Sequence, residues 1–394
     1  MNHRHDGLEL NEIELVRRGL TQHLADRLGL AGTTPQQRLR RVLLLIGVTW
    51  LPPAIFSWIN GQAFGSQVEV PFFHDLEVHV RFLIVVPMLQ LADAVVALSL
   101  AAQVRHLHGP GVVPESERGG LRAAITEAVA WRSSRLAEGL LAILAYVLTL
   151  ALRLQLGLSE GKSSWERSET LVSVAGWWHI LISLPVLYFL LLRWSWIFLV
   201  WARFLFRVSR LKLELTPTHP DRAGGLGFLG WGMASFGTVL MAVAAVISSA
   251  MIHQIVHLGD SLEDMKYHVM VFVVGALVVL HAPLLAFSGQ LARCRFAGML
   301  EFGALAWRHD RAFDEKWVQN PPADLDQQIL GSADIQSLAD MATCYEHVDR
   351  MRLLPFDTKA SIVLAGSIVL PMLPLVGTAI PVAEIVSKLS EFLI

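Results

Sequence analysis

Cysteine, charged residues and catalytic motifs are all scarce in this sequence of 394 residues. The two cysteines, Cys294 and Cys344, are too few for a disulfide framework or a four-cysteine metal site. The sequence contains no H-E-x-x-H metal motif, no phosphate loop and no dinucleotide-binding fingerprint. A G-x-S-x-G match at residues 157–161 follows an apolar helical segment, whereas a nucleophile elbow follows a strand. We therefore expect neither an enzyme nor a bound cofactor.

Charged residues make up 17% of the chain and hydrophobic residues 54%, against about 25% and 45 to 50% in soluble domains. The apolar residues form blocks of roughly 20, the length that crosses a bilayer core of about 30 Å. These blocks lie at 42–60, 82–104, 136–156, 171–192, 231–254, 269–292 and 361–382. The predicted fold is therefore an all-α, polytopic transmembrane helical bundle of about seven spans with helical cytoplasmic extensions.

Lysine and arginine are distributed unevenly between the two sides of these spans. Segments 1–41, 105–135, 193–222 and 293–359 contain 26 of the 32 basic residues. Because lysine and arginine are retained on the cytoplasmic side of short loops, this asymmetry places the N-terminus in the cytoplasm. We expect a multi-pass protein of the cell (inner) membrane.

The topology divides most of the chain into three regions. Residues 42–292 form a six-helix core with cytoplasmic loops at 105–135 and 193–230. Residues 293–360 alternate charged and apolar positions and predict a cytoplasmic helical segment, which caps the bundle or meets a neighbouring subunit. Residues 361–394 contain a last span, which crosses the membrane or re-enters as a hairpin, and a short interfacial helix.

The first 41 residues lack the basic start, apolar core and cleavage site of a removable leader. They predict instead a cytoplasmic amphipathic helix. Its apolar positions, near helical spacing, are Leu8, Ile13, Val16, Leu20 and Leu24.

Two features of the spans predict close contacts between helices. Prolines interrupt five spans, and each frees carbonyl groups that must find a partner or line a cavity. These prolines are Pro52, Pro53, Pro87, Pro185, Pro283, Pro371 and Pro374. The fifth span carries a stripe of small residues, which lets another helix approach closely. The stripe consists of Gly230, Ala234, Thr238, Ala242, Ala245 and Ser249.

Three ionisable side chains fall near the middle of predicted spans, namely Asp93, His179 and His281. Ionisable groups at that depth are costly, so they carry a functional expectation. A carboxylate and two imidazoles at one level can pass protons or coordinate a cation, which makes these residues the predicted ion pathway. The alternative is that each makes a separate hydrogen bond between helices.

A second ionisable group lies at the predicted outer surface. It consists of His74, Asp75, Glu77, His79, His253, His257 and His268. His253 and His257 are one helical turn apart, and a carboxylate beside them would complete a set of zinc ligands. Protonation of these histidines at about pH 6 also predicts an acid-sensing surface. The alternative is a set of solvated interfacial histidines.

A basic segment and a glycine-rich segment follow the fourth span and form a cytoplasmic candidate site for an anion or a lipid headgroup. Arg203, Arg207 and Arg210 share one helical face, and Arg222, Gly224 and Gly225 lie in the stretch TPTHPDRAGGLGFLG. Arginine side chains and glycine N–H groups both bind phosphate. The alternatives are a helix resting on headgroups with its aromatic residues at the interface, and a tight turn that fixes the start of the fifth span.

Together these patterns favour an oligomeric ion channel or transporter for a cation or proton, with sensitivity to pH. The alternative is a membrane-anchored scaffold or sensor that acts through its cytoplasmic helices. The expected partners are the bilayer with its anionic headgroups, a small ion and further copies of the chain. We expect no nucleic-acid partner.

Overall fold

The computed structural model describes residues 34–65, 67–109, 111–157, 163–167, 171–259, 261–321, 332–375 and 377. The amphipathic segment predicted at the N-terminus and the interfacial helix predicted at the C-terminus lie outside these residues, as does the choice between a crossing and a re-entrant last span. Within the described ranges the chain is helical. Isolated β-bridges near Val70 and Ser164 replace any extended sheet there.

Seven helices are long and apolar enough to cross a membrane, which confirms the predicted all-α bundle. In chain order these are α1 (Pro35–Ile59), α2 (Leu76–His108), α4 (Arg135–Leu154), α5 (Val174–Val208), α6 (Phe228–His257), α7 (Met265–Gln319) and α9 (Thr358–Leu375). Two further helices are α3 (Arg118–Arg132) and α8 (Ala333–Asp349). The protein is therefore a multi-pass membrane protein.

The core of the bundle lies between α2, α5 and α6. These helices bury large side chains, including Phe82, Leu89, Trp194, Trp201 and Phe204. Helices α4 and α7 are peripheral and expose rows of apolar residues such as Leu140 and Val271, as lipid-facing helices do. Because successive spans alternate in direction, the loops before α2, α5 and α7 lie at one end, which we call the predicted outer end.

Helix α6 is packed closely on two sides, as its small residues predict. A Cβ atom at Gly230 would lie 2.7 Å from the Cα of Phe356, and one at Gly237 would lie 2.9 Å from the Oγ of Ser367. On the other side, Gly232 leaves room for the amide of Gln103. Gly230 of the small-residue stripe therefore meets the segment leading into α9, while Gly232 and Gly237 of the same helix meet α2 and α9, all within one chain.

Three carbonyl groups freed by proline accept hydrogen bonds from side chains of other spans. Val48, four residues before Pro52, accepts from Trp178 Nε1 (2.9 Å); Thr49, before Pro53, accepts from Ser183 Oγ (2.6 Å); Leu181, before Pro185, accepts from Tyr146 Oη (3.0 Å). The expectation that freed carbonyls find partners is met at these positions. Each proline thereby fixes a polar contact between two spans.

Replacement of Ser183 tests this role. The Ser183 hydroxyl is fully buried, so Ser183→Ala leaves the Thr49 carbonyl without its donor, and we expect the free energy of unfolding to fall by about 1–2 kcal/mol. The measurement is unfolding in mixed detergent micelles, followed by tryptophan fluorescence. Ser195→Ala is the matched control, since the Ser195 hydroxyl bonds only within its own helix, to the Leu191 carbonyl. Equal losses in both variants would contradict the proline argument.

At the opposite end, α7 continues far beyond its membrane-spanning part and forms an antiparallel hairpin with α8. Ion pairs join the two helices near both ends of the hairpin, between Arg295 and Asp349 (3.4 Å) and between Lys316 and Asp334 (2.5 Å). The described part of this hairpin overlaps residues 293–360, for which the sequence predicts a helical segment.

Candidate metal site at the predicted outer end

Three spans contain a short π-helical segment at the predicted outer end. These segments are Val80–Val85 in α2, His179–Ser183 in α5 and Gln254–Leu258 at the end of α6. The first two stand directly before Pro87 and Pro185, where the missing proline N–H interrupts the normal α-helical ladder. Because π turns are rare and occur frequently at functional sites, their convergence marks this end of the bundle.

A cavity of about 90 Å³ opens between these segments, and polar side chains line it. One oxygen each of Asp75 and Glu77 and one imidazole nitrogen of His253 all lie within 4.8 Å of one another. His257 also lines the cavity, and its ring centroid lies 4.7 Å from that of His253. This set of one imidazole and two carboxylates, with a second imidazole beside it, has the chemistry of a zinc or related transition-metal site.

Both carboxylates are oriented by hydrogen bonds. Asp75 accepts from the backbone N–H of Glu77 at 3.0 Å and from the indole of Trp165 at 2.9 Å. Glu77 is paired with Arg81 one helical turn later. Outer contacts of this kind hold metal ligands in place and are a regular feature of metal sites.

A second ionic group borders the cavity. Arg153 pairs with Glu166 at 2.5 Å, and the buried His179 lies 3.4 Å from the other oxygen of Glu166. Burial alone raises the pKa of Glu166, but the neighbouring groups, led by the charge and the hydrogen bond of Arg153, outweigh burial and hold that pKa below its ordinary value. Glu166 therefore stays ionised and is already balanced by Arg153.

The charges around the cavity leave a negative excess. Glu77 is balanced by Arg81 and Glu166 by Arg153, while the structure gives Asp75 no arginine or lysine partner among the described residues. Burial raises the pKa of Asp75, and the neighbouring charges of Glu77 and Glu166 raise it further. A cation beside Asp75 would stabilise its ionised form and so oppose the rise in its pKa that burial and the neighbouring carboxylates cause.

The other predicted outer residues do not contribute ligand atoms to this cluster. His74 is exposed, and His268 is exposed on α7. His79 is engaged by the indole N–H of Trp50 at 3.0 Å and lies 3.3 Å from the carbonyl of Phe73. Of the seven residues predicted there, the structure brings together Asp75, Glu77, His253 and His257.

The predicted ion pathway is not assembled in the structure. Asp93 lies 3.3 Å from Arg193, His281 lies 3.1 Å from the hydroxyl of Ser361, and His179 belongs to the Glu166 group. None of the three lines the outer cavity. Counting residues along each helix predicted that Asp93, His179 and His281 lie at the same depth in the membrane. In the structure each of these side chains contacts a different neighbour. Their arrangement corresponds to the alternative of separate polar contacts.

The basic face at the opposite end is largely internally paired. Arg203 and Arg207 both bind Glu127 of α3, and their hydrogen bonds hold the pKa of that carboxyl below its ordinary value. Arg210 stacks on the ring of Phe206 at 4.6 Å. Two of the aromatic residues expected at the membrane interface, Trp194 and Trp201, are instead buried in the bundle.

The glycine-rich loop binds its own carboxylate. Asp221 accepts hydrogen bonds from the backbone N–H groups of Ala223 (2.8 Å), Gly225 (3.1 Å) and Gly227 (2.7 Å). Gly224 and Gly225 have φ values of 62° and 96°, and Arg222 one of 53°, which few residues other than glycine adopt. The anion site predicted at Arg222, Gly224 and Gly225 is therefore corrected to a turn that Asp221 closes from within.

The Asp221 turn gives a prediction for pH. Burial raises its pKa, but the three backbone hydrogen bonds outweigh burial and lower it overall, so its stabilising effect is present above about pH 4 and is lost as pH falls through the depressed value. We expect Asp221→Asn to lower the free energy of unfolding at pH 7 by about 2 kcal/mol. The measurement is detergent unfolding at pH 7 and pH 3.5. A difference between wild type and variant that grows at low pH would contradict the argument.

Sequence reasoning missed Arg81, Arg153, Trp165 and Glu166 as members of the outer site. The first two lie at the ends of apolar spans, where a basic residue on the outer side departs from the usual distribution. Those two basic residues on the outer side were the sequence feature that could have indicated a polar site there. Nothing in the sequence alone pointed to Trp165.

Compared with protein-family models, curated proteins and solved structures, the chain matches none of them, so its function is inferred from the site itself.

Proposed function

We propose that this multi-pass membrane protein is a receptor for a divalent transition-metal ion, which it binds at its outer end through Asp75, Glu77 and His253. The observation that supports the proposal is the convergence of their three ligand atoms within 4.8 Å on a cavity. Zinc sites that exchange ligands hold the metal with three protein ligands and keep one position for water. An imidazole with two carboxylates satisfies that requirement.

The unbalanced charge of Asp75 supports a cation as the ligand. Trp165 and Arg81 contact the two carboxylates, and one oxygen of each carboxylate lies within 4.8 Å of an imidazole nitrogen of His253. A divalent ion there would place its charge beside the acid that lacks an arginine or lysine.

A receptor fits the connectivity better than a conduction path does. His253 and His257 stand at the end of α6, and the next helix, α7, runs 55 residues from the same end to the α8 hairpin at the other. A metal bound by His253, directly before the π segment of α6, therefore acts close to the start of a helix that reaches the opposite side. The residues of the predicted ion pathway have separate partners instead.

Metal binding to purified protein in lipid nanodiscs tests the proposal. Titration with Co²⁺, followed by its visible absorption, and competition with Zn²⁺ are expected to give one site per chain. We expect His253→Ala and Glu77→Gln to weaken binding by about 10- to 100-fold or more. His74→Ala is the matched control, because it removes an exposed histidine near the cluster, and it is expected to leave affinity unchanged.

Two results would oppose the proposal in different ways. Absence of a saturable site in the wild type, or equal weakening by His74→Ala, would remove the metal site. Uptake of Zn²⁺ into liposomes that is abolished by His253→Ala would keep the site and replace the receptor by a transporter.

A further inference from the structure

A second imidazole stands beside the proposed metal ligands without being one of them. His257 lines the same cavity as His253, and the centroids of the two rings lie 4.7 Å apart. The three ligand atoms that meet within 4.8 Å belong to Asp75, Glu77 and His253. His257 belongs to the π-helical segment Gln254–Leu258, which begins directly after His253. His257 is therefore an imidazole at the wall of the cavity that the three-ligand set leaves unused.

We infer that His257 becomes the fourth protein ligand once an ion is bound, and that it replaces a water molecule on the metal. The inference rests on the proposed function, because the three-ligand site has to hold the ion first. A bond then forms between an imidazole nitrogen of His257 and the metal, one metal–water bond breaks, and the water leaves the cavity. Capture of the ion thus has two steps, from an open site with three protein ligands to a closed site with four.

The distance between the two rings fits one shared ion. Two imidazoles that bind a tetrahedral zinc ion through nitrogens about 2.1 Å from the metal have ring centroids roughly 5 Å apart. The observed separation of 4.7 Å is close to that distance. Histidines four residues apart on one face of a helix are also a known zinc-binding pair. Shared ligation therefore asks for adjustment of side chains and not for a rearrangement of α6.

The other side chains of the cavity are poorly suited to the fourth position. Among the described residues that line it, Glu166 is the one further side chain of a type that commonly binds zinc, and it is paired with Arg153 at 2.5 Å. Arg81 and Arg153 carry the same sign of charge as the metal and have no acceptor atom to offer. The fourth position therefore falls to His257.

Two imidazoles and two carboxylates define the class of ion. Zn²⁺ and Co²⁺ accept such a set in tetrahedral geometry, whereas Mg²⁺ and Ca²⁺ take six or more ligands, nearly all of them oxygen atoms. We expect Zn²⁺ to displace Co²⁺ from the closed site, and Mg²⁺ and Ca²⁺ to leave Co²⁺ in place.

Cobalt spectroscopy of the full chain in lipid nanodiscs tests the inference. Tetrahedral Co²⁺ absorbs visible light far more strongly than octahedral Co²⁺, so the visible band reports whether the site closes. His257→Ala is expected to keep one saturable site per chain, to weaken affinity at least about tenfold and to lower the absorption per bound ion several-fold. His268→Ala is the matched control, because it removes an exposed histidine at the same end, and both quantities are expected to keep their wild-type values.

A cysteine at the same position gives a positive signature that loss of folding cannot imitate. A thiolate that binds Co²⁺ adds a charge-transfer band in the near ultraviolet. We expect this band in His257→Cys, and we expect it to be absent from His268→Cys and from the wild type. The two native cysteines, Cys294 and Cys344, lie on α7 and α8 towards the opposite end.

Failure of the inference and failure of the proposed function give different results. Absence of a saturable Co²⁺ site in the wild type would overturn the proposed function, and the inference with it. A wild-type site that His257→Ala leaves unchanged in affinity and in visible absorption would overturn the inference alone, and the three-ligand receptor would stand.

Discussion

Replacing Arg153 by methionine is expected to lower the free energy of unfolding by about 2–4 kcal/mol, somewhat less than the 3–5 kcal/mol typical of a fully buried pair. Arg153→Met leaves Glu166 without its ion-pair partner, because Arg81, whose charge also acts on Glu166, is paired with Glu77, and His179 is a buried imidazole 3.4 Å away. The cavity admits water to both side chains, which limits the loss. The measurement is unfolding in mixed detergent micelles at pH 7.

The second substitution, Glu166→Gln, separates charge from packing. We expect Arg153→Met combined with Glu166→Gln to recover most of the lost stability, since no unpaired charge remains. Arg122→Met is the matched control, because the Arg122 side chain is exposed on α3, and its effect is expected to stay within about 0.5 kcal/mol. A double variant as unstable as Arg153→Met alone would show that the arginine acts through packing.

The fold could be predicted from the sequence because the bilayer imposes strict physical limits. In the hydrocarbon core of the bilayer, a single segment can make all of its backbone hydrogen bonds internally only as a helix. Apolar blocks of sufficient length therefore form membrane-spanning helices. The prolines were equally informative, since each of Pro52, Pro53 and Pro185 removes a backbone donor and a neighbouring span supplies another. These are local consequences of composition and need no knowledge of how the spans are arranged.

The site was predicted only in part, because it depends on how the helices are rotated. The sequence placed Asp75, Glu77 and His253 on one side of the membrane, and the fold brings them together. Depth along a helix says nothing about direction around it, so Asp93, His179 and His281 were assigned to one pathway although they face different neighbours. The π segments add to this difficulty, since each changes the angular position of every residue after it.

The loop that carries Trp165 and Glu166 depends on one small residue. Gly176, in the first turn of α5, leaves space for the backbone of that loop, and a Cβ atom at this position would lie 2.2 Å from the carbonyl oxygen of Glu166 and 2.9 Å from a methyl carbon of Val172. The contact involves main chain, which cannot rotate away as the end of a side chain does.

We expect Gly176→Ala to lower the free energy of unfolding by about 3 kcal/mol, at the upper end of the range for overpacking. Metal affinity is expected to fall as well, because displacement of the loop moves Trp165 away from Asp75. The measurements are detergent unfolding and Co²⁺ titration in nanodiscs. Gly275→Ala is the matched control, since no atom lies within 4 Å of a Cβ there, and alanine is the better helix former by about 1 kcal/mol. Wild-type stability and affinity in Gly176→Ala would show that the loop yields freely, and the second layer of contacts proposed for the metal ligands would then lose its support.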